Sequence, residues 1–145
     1  MTTPSILVRA AGRGLAGAMM MTALRQVTVH LGLLKEAPPE SMVRSATPST
    51  VDRIGEGRRA ALTEFLHWAY GAGGGAAFRL LPGQVRAIRG AGAAYGLALW
   101  LGYELGLAPL LGEKHPTGKV VGRAMVGLDH LLYGIVVAER FPPRT

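Results

Sequence analysis

Glu64, His67 and Tyr70 stand at i, i+3 and i+6, a spacing that brings them near one polar face of a helix. Further along, Val126, His130 and Tyr133 mark a comparable face, with Asp129 about 100° round from His130. Arg25 and Glu104 complete the ionisable groups that lie inside apolar stretches, where a charge is costly and is a functional candidate by default. Carboxylate bundles hold metal pairs with the Glu-x-x-His spacing of Glu64 and His67, but they use the motif twice and add two more carboxylates. Here the second half offers only the adjacent Asp129 and His130. Two histidines on neighbouring helices are also the minimum for bis-histidine haem ligation or a shared proton path. The competing reading is structural and is preferred: His67 and His130 hydrogen-bond across a bundle, and Asp129 pairs with Arg25 or Arg123. No cofactor is therefore predicted, and haem or metal through His67 and His130 stands as the lesser alternative.

Other chemistry finds little support. There is no cysteine, which removes thiol catalysis, cysteine zinc sites and disulfides. There is no phosphate-binding loop with its lysine, no Gly-x-Ser-x-Gly elbow and no His-Glu-x-x-His. The run Gly71 to Gly75 has the composition of a phosphate loop without the strand or the lysine, and reads as close helix contact. Met19, Met20 and Met21 point three ways around a helix, as packing residues do. The sequence does not read as an enzyme.

The elements that must position these groups are four apolar stretches, at 6–34, 62–81, 88–111 and 120–138, each near the length that crosses a hydrocarbon core. Gly90 to Leu111 carries one acidic or basic side chain, Glu104, where a soluble helix would show a broad polar face. The first stretch contains Arg9, Arg13 and Arg25, and the fourth Arg123 and Asp129. Lys and Arg outnumber Asp and Glu by 16 to 9, yet the basic residues gather where apolar stretches end rather than along one stripe. That pattern points to a lipid bilayer as partner and away from nucleic acid. Residues 1–6 lack a basic region leading into a cleavable core, so the first helix is expected to direct its own insertion. The expected fold is one all-α domain over residues 1–145, a four-helix transmembrane bundle with a polar section at 35–60.

Glycine, 21 residues in 145, lies inside the apolar stretches, the habit of helices that pack closely in membranes. Gly90, Ala94, Ala98, Gly102 and Gly106 recur every fourth residue and predict one continuous packing stripe; Ala10, Gly14 and Ala18 give a shorter one. The halves also match. Arg13-Gly14 corresponds to Arg89-Gly90, Leu31-Gly32-Leu33 to Leu105-Gly106-Leu107, and His67-x-x-Tyr70-Gly71 to His130-x-x-Tyr133-Gly134. Two tandem helical hairpins related by an axis along the membrane normal follow from that order.

The His-x-x-Tyr-Gly element of the second and fourth stretches, Tyr95-Gly96 leading to Trp100, and the Pro109-Leu-Leu-Gly exit resemble small bacterial inner-membrane proteins of the YagU-like kind. The likeness runs from about Gly12 to Arg140; the arginines of the first stretch depart from it. It implies a four-helix inner-membrane protein and brings no activity with it. The expected function is a non-catalytic packing or accessory subunit of a homo-oligomer or larger membrane complex. The alternative is a small transporter or proton conductor using Glu64, His67, Asp129 and His130.

Orientation follows from the short connections, which weigh most in the positive-inside rule. Arg79, Arg86 and Arg89 fall in one turn without an acid, whereas Lys114 and Lys119 share theirs with Glu113, so both termini are expected in the cytoplasm. In intact cells a cysteine replacing Gln84 should resist an impermeant maleimide and one replacing Ser45 should react; the reverse pattern inverts the orientation.

Overall fold

The computed structural model describes residues 3–32, 55–110 and 120–138. Expectations that fall on residues 33–54, which include most of the polar section expected at 35–60, on residues 111–119 and on Arg140 lie outside the described residues. Within them the chain is all-helical: α1 (Thr3–His30), α2 (Glu56–Leu80), a short α3 (Gly83–Ala87), α4 (Ala91–Gly102) and α5 (Val120–Ala138). After α4 the helix widens into a π-helical turn, Tyr103–Leu107, and closes with Ala108–Leu110.

Local sequence explains the boundaries. Past α1, Gly32 takes φ +69° and donates its N–H to the Val29 carbonyl at 2.9 Å, a left-handed helix terminus that glycine enters at little cost. Leu81, which precedes Pro82, is extended at ψ 148°, because the proline ring clashes with a helical residue before it. The third apolar stretch, expected as one helix over 88–111, is interrupted instead. Gly90 has φ +81° and stands outside the helix it precedes, so α4 starts at Ala91. At the other end the π turn admits an extra residue per turn, which carries Tyr103 and Glu104 inward together.

These interruptions correct the five-residue stripe. Gly90 is the helix cap and Gly106 lies in the π turn, so the small residues do not form one continuous row. Ala94, Ala98 and Gly102 lie exposed on α4, and nothing approaches within 4 Å of where a Cβ on Gly90, Gly102 or Gly106 would stand. The intramolecular contacts belong to Gly92 and Gly96, both buried.

Two antiparallel hairpins result. In the first, a Cβ on Gly14 would strike the Gly71 carbonyl and lie 2.8 Å from the Gly75 nitrogen, and Gly75 abuts the Ala10 carbonyl. In the second, Gly92 abuts the Gly134 carbonyl and the Ala138 methyl, and Gly96 abuts the His130 carbonyl. Gly71 and Gly134 both follow the tyrosine of His-x-x-Tyr-Gly, so Gly92 occupies the place of Gly14. The sequence match at Gly90 is therefore two residues out of register. Between hairpins, α1 packs on α5 so closely that a Cβ on Gly17 would stand 2.8 Å from the Tyr133 ring. α4 reaches α2 through Tyr95, whose ring centroid lies 5.1 Å from that of Phe78. Met21, Phe78, Tyr133 and Val137 form the buried centre.

Among the described helices only α5 is long and apolar enough, by length and composition, to cross a membrane, with mean hydropathy 1.5. The four spans expected from the sequence reduce on that criterion to one. α1 carries three arginines, α2 combines glycines with Glu64 and His67, and α4 ends after 12 residues.

Replacing Gly96 by Ala should lower stability by about 1–3 kcal/mol, because the added methyl meets backbone that cannot retreat. Gly102→Ala should be neutral or stabilise by up to about 1 kcal/mol through helix propensity. Thermal unfolding in detergent compares the two, and equal effects would count against the assigned helix faces.

Candidate functional site

The charged and polar side chains that α1 and α2 turn toward each other meet in one layer. Thr22 follows Ala18 by four residues, so it continues the face on which Ala10, Gly14 and Ala18 pack, and its hydroxyl arrives against α2. The hydroxyl donates to Glu64 Oε2 at 2.8 Å and accepts from Trp68 Nε1 at 3.2 Å. His67 Nδ1 lies 3.4 Å away on the same oxygen. With the hydroxyl proton given to Glu64, the remaining lone pair accepts from His67, which assigns the ring proton to Nδ1. One turn further on, Arg25 Nη2 forms an ion pair with Glu64 Oε1, and Arg25 is only 6% exposed.

α5 brings its groups to the same level. Arg25 acts electrostatically on both His67 and Asp129, and His130 acts on His67. His130 folds back on its own helix, Nδ1 donating to the Val126 carbonyl at 2.8 Å. Glu104, turned inward by the π turn, faces Arg123 at 3.4 Å and also acts on His130.

This arrangement changes several expectations. Asp129, 8% exposed, pairs with neither arginine: Arg25 is taken by Glu64 and Arg123 by Glu104. Tyr70 does not join Glu64 and His67, being 59% exposed, since six residues turn a side chain about 120° away from the starting face. Tyr133 is buried as part of the core, and its hydroxyl donates to the Gly71 carbonyl at 2.6 Å, while Tyr95 does the same to Gly74 at 2.8 Å. The glycines leave those carbonyls open to a second hydrogen bond. Among the described residues no three His, Cys, Asp or Glu side chains come together as a metal site. For Glu64-x-x-His67 a cation would also have to compete with the arginine already on the carboxylate.

Sequence reasoning misses Thr22 and Trp68, although the spacing from Ala18 identifies the first. The second hairpin shows what they replace. Thr22 against Glu64 is matched there by Trp100 over Gly127, with ring atoms 3.4 Å from where a Cβ on the glycine would stand. A hydrogen bond in one hairpin is an indole on glycine in the other. The Trp100 Nε1 proton is buried there without an acceptor.

Comparison with protein-family models, with curated proteins and with solved structures finds no match to this chain.

Arg25→Met strands the Glu64 carboxylate and should cost roughly 2–3 kcal/mol, of which the double variant Arg25→Met/Glu64→Gln should recover at least about 1 kcal/mol. Detergent unfolding of both singles and the double measures that coupling; strict additivity would mean that the pair does not hold α1 to α2.

Proposed function

We propose that the chain is a multi-helix inner-membrane protein with both termini in the cytoplasm, acting as a non-catalytic packing subunit that assembles through α4 with a second copy of itself. The observation that carries this reading is that α4 has two small-residue faces. Gly92 and Gly96 are used against α5, and Ala94, Ala98 and Gly102 are left uncovered. Membrane helices associate through such faces because close backbone approach gains dispersion contacts that lipid does not match.

The distribution of polarity supports the membrane setting. Phe65 is 65% exposed and Leu105 71% exposed, while Arg25, paired with Glu64, and Glu104, paired with Arg123, are buried. Large apolar groups outside and paired charges inside are unfavourable in water and favourable in lipid. Several of the charges that disqualify α1 and α2 by composition are compatible with a bilayer. Arg25 and Glu64 neutralise each other, Arg13 and Arg79 stand toward one end, and Arg58 and Arg59 belong to the first turns of α2, ahead of its apolar run. Transport through the polar layer is the weaker reading, because Glu64 is held by Arg25 and Thr22 rather than available to exchange a proton or ion.

Extraction in mild detergent should yield a particle that is a multiple of the 15.3 kDa chain. Ala98→Leu and Gly102→Leu should return it to a single chain with unchanged helicity. A wild-type monomer, or a multimer indifferent to both substitutions, rejects assembly through α4.

A further inference from the structure

The connection between the two hairpins carries apolar side chains that no helix covers. Leu80 at the end of α2, Val85 of α3 and Ile88 just past it are all exposed. Val85 and Ile88, three residues apart, fall on one side of the short helix. The one charged residue of α3, Arg86, is half-buried, its Nε donating to the Leu81 carbonyl at 2.9 Å. A helix facing water would be arranged the other way, with the cation outside and the apolar groups against the bundle. Backbone hydrogen bonds fix the segment: the Arg86 N–H donates to the Pro82 carbonyl at 3.1 Å, and the Ala91 N–H to the Ile88 carbonyl at 3.2 Å. The exposed apolar residues thus belong to a defined turn of structure.

Continuity and charge indicate what covers them. Leu66, Gly73 and Leu80 lie nearly two helical turns apart on the outer face of α2, all exposed, and no charged residue separates Leu80 from Val85. The apolar surface of α2 therefore runs onto α3 without a polar border, whereas a docking site for a separate protein is rimmed by polar groups. Arg89 is exposed next to Ile88, and no carboxylate occurs from Phe65 to Tyr103. Apolar side chains with a cation at their edge match the boundary between acyl chains and anionic headgroups, where amphipathic segments lie in the membrane plane. We propose that α3 lies along the surface of an anionic lipid leaflet, with Leu80, Val85 and Ile88 inserted among the upper acyl carbons and Arg89 at the headgroups. The proposal rests on the membrane reading above and adds where the turn between hairpins sits and which lipids it meets.

The full chain has no native cysteine, so a bimane label can be placed on single introduced ones and the protein reconstituted into phosphatidylcholine vesicles with or without phosphatidylglycerol. The readouts are quenching by lipids brominated near the headgroup, by lipids brominated near the chain end, and by a neutral water-soluble quencher. Labels at Val85→Cys and Ile88→Cys should be quenched at least twofold more by the shallow bromines than by the deep ones. The aqueous quencher should reach them at least twofold less than a label at Gly57→Cys. Phosphatidylglycerol should strengthen shallow quenching at Ile88→Cys, and Arg89→Gln should abolish that gain. All the labelled positions are exposed, so the packing of the bundle stays in place. Val85 and Ile88 labels as wet as the one at Gly57, beside a Leu128→Cys label quenched by lipid, overturn the placement of α3 and leave the membrane reading standing. A Leu128→Cys label that neither brominated lipid quenches rejects the membrane reading itself. A gain that is absent, or that persists in Arg89→Gln, overturns the anionic leaflet as the partner of this turn.

Discussion

The approach of backbone to backbone at Gly14, Gly71 and Gly75 in one hairpin, and at Gly92, Gly96 and Gly134 in the other, constrains everything else in the bundle. A Cβ at any of these positions would overlap a neighbouring main chain. Helices this close have room between them only for glycine, alanine and an occasional ring, so Phe65, Leu105, Leu110 and Val120 are left outside. In water such packing would forfeit the burial of large apolar side chains that normally stabilises a fold. In lipid nothing is lost by leaving them outside, and close dispersion contact between helices becomes the main attraction.

Hydrogen bonds then supply what apolar packing does not. Tyr133 and Tyr95 each place a hydroxyl on a carbonyl of the α2 glycine run, at Gly71 and Gly74, tying the second hairpin to the first. Thr22, Glu64, His67 and Arg25 tie α1 to α2. The two hairpins share their glycine contacts but differ in their polar ones, because Trp100 over Gly127 stands where Thr22 meets Glu64. A symmetric site between repeats would need matched groups. This pair instead gives the first hairpin a hydrogen bond between Thr22 and Glu64 and the second an indole packed on glycine.

Much of the helical character was legible because long apolar stretches with few charges and no cysteine leave few other folds, and His-x-x-Tyr-Gly marked equivalent turns of α2 and α5. The interruption of the third stretch was not. Gly90 reads as one more small residue in a row of them, and only the backbone shows it in the left-handed region. The π turn leaves no trace in residue spacing, and it alone turns Tyr103 and Glu104 inward together. Of the polar residues, Glu64, His67, Asp129 and His130 were each conspicuous, since charge or imidazole in an apolar run stands out. Their pairing was not, because Arg25 has two acids within reach and the choice of Glu64 over Asp129 depends on α1 lying along α2. Tyr70 was misplaced because helical angle over six residues separates what a list of polar positions joins.

On the proposed membrane reading the exposed apolar side chains of these helices face lipid. Single nitroxide labels at Phe65→Cys, Leu128→Cys and Ile135→Cys, in protein reconstituted into bilayers, report this through collision with oxygen, which concentrates in hydrocarbon, and with a water-soluble nickel chelate. All three should collide readily with oxygen and poorly with the chelate, whereas a label at Gly57→Cys should do the reverse. Labels at Phe65 and Ile135 that respond to the chelate as strongly as the one at Gly57 would contradict a lipid-facing surface, placing those side chains in water.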